Sequence, residues 1–398
     1  MNLAAATGIA IRSADADALA RALQRSRQDT LATFGLAWAA AQGQVPRHDD
    51  LNPPLWELGH IGWFQTWWLA RNPLRGQGWR ANPDVARPPS DDDVLYDSSR
   101  VPHHSRWQLP LPGADATQAA LAHQLGQTLA LLREAPATDD GLYFFRLALL
   151  HEDMHHEAAV YMAQALGWPA SVGTPPRLPA PPAELCLPAA DFVQGLAEGG
   201  FAFDNECGAH RVAVPALQID AQVLRWAEYL PFVEAGGYRD PACWDAVGVA
   251  WRNRLDARVP RYLRRTAGGA WQRWLHGQWQ ALPLDNPACH LSAHEAQAWC
   301  RWAGRRLPSE AEWQHAALAR PEAFDWGAVW EWTASPFVAY PGFVAHPYRD
   351  YSAPWFGSRR VLRGASFMTQ PRMHHPRYRN FFAPSRTDVA AGFRTCAL

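Results

Sequence analysis

The 398-residue sequence contains no lysine, so all 37 of its basic residues are arginine. That excludes Schiff-base chemistry on a lysine amine, pyridoxal phosphate anchoring and the lysine of a P-loop. Cysteine is sparse and scattered. The six residues Cys186, Cys207, Cys243, Cys289, Cys300 and Cys396 form no CxxC pair. This argues against a thiolate zinc site or a disulfide framework and fits a reducing compartment. Excess charge is also missing: 37 basic residues stand against 38 acidic ones, for a net charge of −1. Such a balance offers no basic surface to a phosphate backbone, so nucleic acid is not an expected partner. No stretch is long and apolar enough to span a bilayer, and membrane is not an expected partner either. The opening MNLAAATGIAIRSADAD lacks a basic segment before a long apolar run and does not read as a signal peptide, so a cytoplasmic protein is expected. What is abundant is apolar surface: 48% hydrophobic residues and 21 tryptophans, many near histidines. At about 150 residues per domain, a chain of this length predicts two or three domains.

Residues 1–168 read as helices in an antiparallel four-helix bundle. Ser13 caps a segment carrying Leu19, Leu23, Leu31 and Phe34 at helical spacing, and Asn52-Pro53 opens LWELGHIGWFQTWWLAR. Asp115 opens a third helix with Leu121, Leu125, Leu129 and Leu132 on one stripe. Asp139 or Asp140 opens the fourth, GLYFFRLALLHEDMHHEAAVYMAQALGW. Residues 71–112 form a long crossover, of a length that usually carries function. Residues 169–190, PASVGTPPRLPAPPAELCLPAA, are a stiff proline-rich linker. Residues 191–398 read as an α+β domain of short strands, with two clear helices opened by the capping boxes Ser292/Glu295 and Ser309/Glu312.

His151 and His155 lie four apart on the fourth helix, on the face of Phe144, Leu147, Ala148, Ala158 and Met162. His60 shares its own helix face with Trp56, Trp63, Phe64 and Trp67. Each helix therefore aims imidazole into an apolar interior, where an unpartnered ring is costly. Three convergent imidazoles make a metal site, and nitrogen ligation suits zinc, iron, copper or nickel. The plain alternative is core histidines bonded to carbonyls or carboxylates. A sharper rival is HEDMH, residues 151–155, a literal HExxH zinc-hydrolase pattern with Glu152 as general base. It lacks the longer motif's third histidine, and Glu152, Asp153 and Glu157 read equally as a solvated acidic group.

The order His60, then His151-x3-His155-x-Glu157, resembles the DinB-like helical domain of ergothioneine synthases. The segments FAFDNECGAHRVAVPALQID, LSAHEAQAWCRWAGRRLPSEAEWQHAA, VWEWTASPFVAYPGF and RVLRGASF resemble the formylglycine-generating-enzyme-like domain, of C-type-lectin-like fold. Together the two resemblances cover nearly the whole chain. They imply iron(II), Fe(2+), on His60, His151 and His155, with open positions for O2. They also imply a substrate, hercynine (trimethylated histidine), whose C2 receives sulfur or selenium between the domains. In the resembling enzymes a tyrosine stands three residues before the YPGF-type tyrosine and donates a proton. Phe337 takes that position here, with Tyr340 as the hercynine-binding motif residue. An asparagine–aromatic–aspartate run near the C-terminus is Asn380-Phe381-Phe382 here, so Phe382 replaces the aspartate that grips the thiol donor's amino group. Hercynine kept and donor altered is similar to the selenoneine synthase branch, with a selenosugar as donor. The alternatives are a sulfoxide synthase using cysteine or γ-glutamylcysteine, and a non-catalytic binding module.

The resemblance also implies that an arginine of the crossover binds the donor carboxylate; among Arg71, Arg75, Arg80, Arg100 and Arg106, most read as surface charges, and Arg100 or Arg106, after YDSS, is the candidate. His374 and His375 read as exposed or capping, and Cys300 as core. Asp204, Asn205 and Glu206 are too few for a calcium site.

Overall fold

In the computed structural model, residues 3–42, 44–196 and 199–398 are described. Helices α1 (Leu3–Ile11) and α2 (Ala16–Ala41) open the chain. The cap of α2 is Asp15, whose carboxylate accepts from Ala18 N, two residues beyond the expected Ser13. Helix α3 (Pro54–Gln65) starts on a proline step and continues into a π-turn over Thr66–Ala70. The crossover holds only short turns and the one-turn α4 (Asp93–Tyr96). Helix α5 (Ala114–Arg133) follows, and then α6 (Asp139–Leu166), capped by Thr138 and ended by left-handed Gly167. Helices α2, α3, α5 and α6 pack on one another.

The second part begins with β1 (Leu185–Leu187), β2 (Ala190–Gln194), β3 (His210–Val214) and β4 (Leu217–Ile219), in the antiparallel pairs β1–β4 and β2–β3. Helices α7 (Trp226–Glu234) and α8 (Ala246–Leu255) come next, and neither is in the sequence reading. Both are short, and Pro231 inside α7 hides its period. A three-stranded sheet of β5 (Leu263–Arg265), β6 (Trp271–Leu275) and β7 (Gln278–Ala281) precedes α9 (Ala293–Ala303) and α10 (Glu310–Ala319). Both expected capping boxes, Ser292/Glu295 and Ser309/Glu312, are formed there. The last sheet orders β10 (Asn380–Phe382), β9 (Arg360–Gly364), β8 (Trp330–Pro336) and β11 (Ala391–Gly392). Strand β10 is its edge, with Asn380 opposite Leu362 and Phe382 opposite Arg360. The chain therefore divides into an N-terminal helical region and a C-terminal α+β region.

Arginine serves as the interior cation of the second region. Arg379 forms a fork with Glu310 at 2.9 Å to each oxygen, and Arg394 forms one with Glu331 at 2.5 and 2.8 Å. The planar guanidinium suits such buried bidentate pairs better than an ammonium does.

Helix α6 joins the two regions. Its residues are buried on every side over most of its length. Glu157 accepts from Trp330 Nε1 at 2.7 Å, Thr369 Oγ1 at 2.9 Å and Ser366 Oγ at 3.2 Å. Asp153 takes the Arg372 fork at 2.8 and 2.9 Å. Glu152 is held by Arg27 at 2.7 Å and Gln65 at 2.7 Å. The expected solvated acidic group is therefore buried and fully bonded. His374 and His375 are buried too, not exposed, because the 3-10 turn at Pro371–Met373 packs them against α1. Gly8 permits this approach: a Cβ there would collide with the His374 carbonyl. Among the described residues no helix is long and apolar enough to cross a membrane.

Candidate metal centre and substrate cleft

His60, His151 and His155 come together, with one ring nitrogen of each within 4.8 Å of the others. They form the single three-residue cluster of potential ligands among the described residues. Two of their outward nitrogens are engaged. His60 Nδ1 donates to the Tyr96 carbonyl at 2.8 Å, and His155 Nδ1 bonds the Glu57 carboxylate. These bonds leave Nε2 of His60 and of His155 as the lone-pair nitrogen. His151 Nε2 and His155 Nε2 face each other at 3.2 Å, and buried His151 Nδ1 has no partner. Burial holds the His60 imidazolium pKa down to about 3 and that of His151 well below its ordinary value, so both rings are neutral. Neutral rings with inward lone pairs fit a divalent cation better than they fit one another.

The supports are local. Gly59 lets the Tyr96 ring lie against α3, where any Cβ would collide with it, and the Tyr96 carbonyl reaches His60. Trp56 stacks on His60 at 4.9 Å and 8°, and Phe64 stacks on His151 at 3.5 Å and 4°. Burial pushes the Glu57 carboxyl up, but His155 and the bond from Asn52 carry it below its ordinary value.

A cleft of about 620 Å³ starts beside this cluster. The crossover contributes Ser98, Ser99, His103 and Arg106, and α6 contributes Met154, Glu157 and Tyr161. The C-terminal region closes it with Tyr348, Tyr351, Tyr378 and the edge strand Asn380-Phe381-Phe382. The Tyr348 ring stands edge-on to His151 at 6.0 Å and to Phe64 at 5.0 Å. Tyr351 and Tyr378 share a hydroxyl–hydroxyl bond of 3.0 Å, and Tyr378 also meets Met154 Sδ at 3.6 Å.

Of the sequence-derived site residues, the structure gathers the three histidines and lines the cleft with Arg106, Asn380, Phe381 and Phe382. It does not bring Phe337 or Tyr340 to the cleft. Phe337 is fully buried behind the wall, stacked on Phe381 at 4.0 Å. The Tyr340 hydroxyl donates to Glu310 at 3.2 Å, and the Arg379 guanidinium covers its ring at 3.8 Å. Both are corrected to wall supports. The aromatic pair three residues apart that reaches the cleft is Tyr348 and Tyr351. The same spacing occurs in both segments, and only the fold chooses between them. Arg106 lines the cleft, with its terminal nitrogens engaged by Asn52 Oδ1 at 2.7 Å and the Val101 carbonyl at 3.2 Å and its guanidinium 3.8 Å over Trp56. Arg100 is exposed. The HExxH reading fails on geometry, because the Glu152 carboxylate is locked to Arg27, away from the cleft.

Glu57, Tyr348, Tyr351, Tyr378 and Met154 are absent from the sequence reading. Glu57 precedes His60 by three and so shares its face, the one local signal available.

Residues 170–328 and 323–397 match the sulfatase-modifying factor enzyme 1-like domain. The chain is 31% identical over 404 residues to the hercynine oxygenase of Mycobacterium tuberculosis, covering 87% of this chain and 92% of that protein. It is 31% identical over 435 residues to the hercynine oxygenase of Mycolicibacterium thermoresistibile, covering 94% of each. The formylglycine-generating enzyme of Bos taurus is 31% identical over 163 residues, 37% of this chain and 44% of that one.

Proposed function

The chain belongs to the hercynine oxygenase family, whose C-terminal part is a sulfatase-modifying factor enzyme 1-like domain, and from that premise we propose an oxygen-dependent enzyme acting on hercynine. The observation that carries the reading is the cluster of His60, His151 and His155, with one ring nitrogen of each turned toward the others, beside a cleft lined by phenols. Iron(II), held by His60, His151 and His155, supplies O2 activation when bound. The chain's own residues do the rest. Burial raises the Tyr348 phenol above its ordinary range, so it keeps its proton at neutral pH, and with its ring 6.0 Å from that of His151 it serves as the proton donor. Tyr161, Tyr351, Tyr378 and Phe381 suit a trimethylammonium group through their ring faces. Asn380 offers a side-chain amide to the imidazole, its oxygen already accepting from Phe381 N at 2.8 Å.

The finer reading is selenoneine synthase. The C2–H bond of hercynine and the Se–H bond of a selenosugar are broken, the C–Se bond forms, and O2 takes up the two electrons and two protons as hydrogen peroxide. Phe382 supports it, since an apolar ring stands on the cleft wall where the resembling enzymes carry an aspartate. Tyr348 favours the second reading, a sulfoxide synthase using γ-glutamylcysteine, because it supplies beside His151 the phenol that Phe337 lacks. We read residues 1–168 as a DinB-like bundle, 169–190 as a linker and 191–398 as the second domain. Six free cysteines fit a cytoplasmic location. The test is a competition: iron-loaded protein, hercynine and O2 with equal selenosugar and γ-glutamylcysteine, the adducts weighed by mass spectrometry. A selenosugar adduct is expected. A sulfoxide adduct would replace the first reading by the second, and no hercynine adduct would overturn both.

A further inference from the structure

One segment of the crossover braces the His60 side of the histidine cluster. The Leu95 carbonyl holds Trp56 Nε1 at 2.8 Å, and the Tyr96 carbonyl holds His60 Nδ1 at 2.8 Å. Arg106 closes the segment on itself through the Val101 carbonyl. From Arg106 a hydrogen-bonded chain runs inward. Arg106 Nη1 donates to Asn52 Oδ1 at 2.7 Å, Asn52 Nδ2 donates to Glu57 Oε1 at 2.5 Å, and the other Glu57 oxygen bonds His155 Nδ1. Glu57 and Arg106 are both nine-tenths or more buried. Asn52 makes no other side-chain bond in this chain of contacts, so it is the link that joins the outer pair to the inner one.

Resting on the metal reading above, we propose that Asn52 and Glu57 are positioning residues that couple the crossover wall of the cleft to the ligand His155. A dication among three neutral imidazoles leaves two positive charges in a buried site. The Glu57 carboxylate offsets one of them and fixes which His155 nitrogen carries the proton. Arg106 and Asn52 hold that carboxylate in place. Coupling is reciprocal: an ordered crossover tightens metal binding, and metal binding orders the crossover.

The experiment uses Co2+ as probe on the full chain, with affinity, ligand-field spectrum and backbone hydrogen exchange as readouts. Wild type is expected to bind one equivalent and to slow exchange over residues 95–106. Glu57→Gln is expected to weaken binding about 10- to 100-fold. Asn52→Ala is expected to weaken it about 5-fold, alter the Co2+ spectrum and abolish the protection of 95–106. In the double variant the loss should stay within about twofold of Glu57→Gln alone, since the two act in series. Asn52→Ala with wild-type affinity and undiminished protection would overturn the coupling and leave the histidine site standing, as would losses that multiply in the double variant. Wild type without one tight Co2+ would remove the metal reading itself. If Glu57→Gln fails to fold, Asn52→Ala decides alone through protection and spectrum.

Discussion

Helix α6 carries two rows of ionisable side chains that meet opposite fates. On one row, His151 and His155 keep nitrogen atoms with nothing but each other to face. On the other, Glu152, Asp153 and Glu157 are engaged by Arg27, Gln65, Ser26, Arg372, Trp330, Ser366 and Thr369. Both rows are largely buried and both are polar. Polarity in a core therefore does not mark a site; ligand nitrogens that converge on one another do. Asp153 and Glu157 dock the two regions of the protein to each other, Glu152 ties α6 to α2 and α3, and the imidazoles lie beside the cleft.

Substitutions can separate the two rows. The largest effect belongs to His60→Ala or His151→Ala, which should abolish iron and Co2+ binding while leaving a cooperative melt of the metal-free protein. Full metal retention would dissolve the distinction. Glu152→Ala should do the reverse. It leaves the Arg27 guanidinium buried and unpaired, which costs about 3–5 kcal/mol of stability in denaturant titration, while folded protein keeps its metal affinity. Glu152→Ala that is stable but inactive would revive the hydrolase pattern. Tyr348→Phe tests the cleft side alone: turnover should fall by about 100-fold with Co2+ affinity and melting temperature nearly unchanged. A gentler probe is pH. Burial holds His290, His346 and His374 down to about 4. Between about pH 6.5 and 4 the unfolded chain takes up protons that the folded chain refuses, so stability falls as pH falls. The slope is about 1.4 kcal/mol per histidine and pH unit, read by calorimetry. His290→Gln should flatten it by one histidine's share.

Much of this was legible in the sequence where a short period carries the information. The four-residue step from His151 to His155, the capping boxes before α9 and α10, and the proline step into α3 all express contacts within one or two turns. The boundary between helical and α+β texture near residue 169 is likewise a local change in composition. The acidic group of α6 was misread as solvated because an amphipathic pattern assumes one wet face, and α6 has none. Phe337 and Tyr340 were misplaced because an aromatic spacing of three recurs within a dozen residues, and one-dimensional spacing ranks both alike.

The sequence by itself determined the basic chemistry: without lysine the interior cations are guanidinium forks, without charge excess there is no polyanion surface, and two helical histidines share one face. Tertiary structure alone decided that Glu57 backs His155, that Tyr348 reaches His151 from nearly 200 residues away, and that Glu152 is sealed against Arg27. The reason is physical. Helical period and end caps act over a few residues and are written in neighbouring letters. The partner of a buried polar atom is chosen by which elements pack, and packing brings together residues that no local repeat connects.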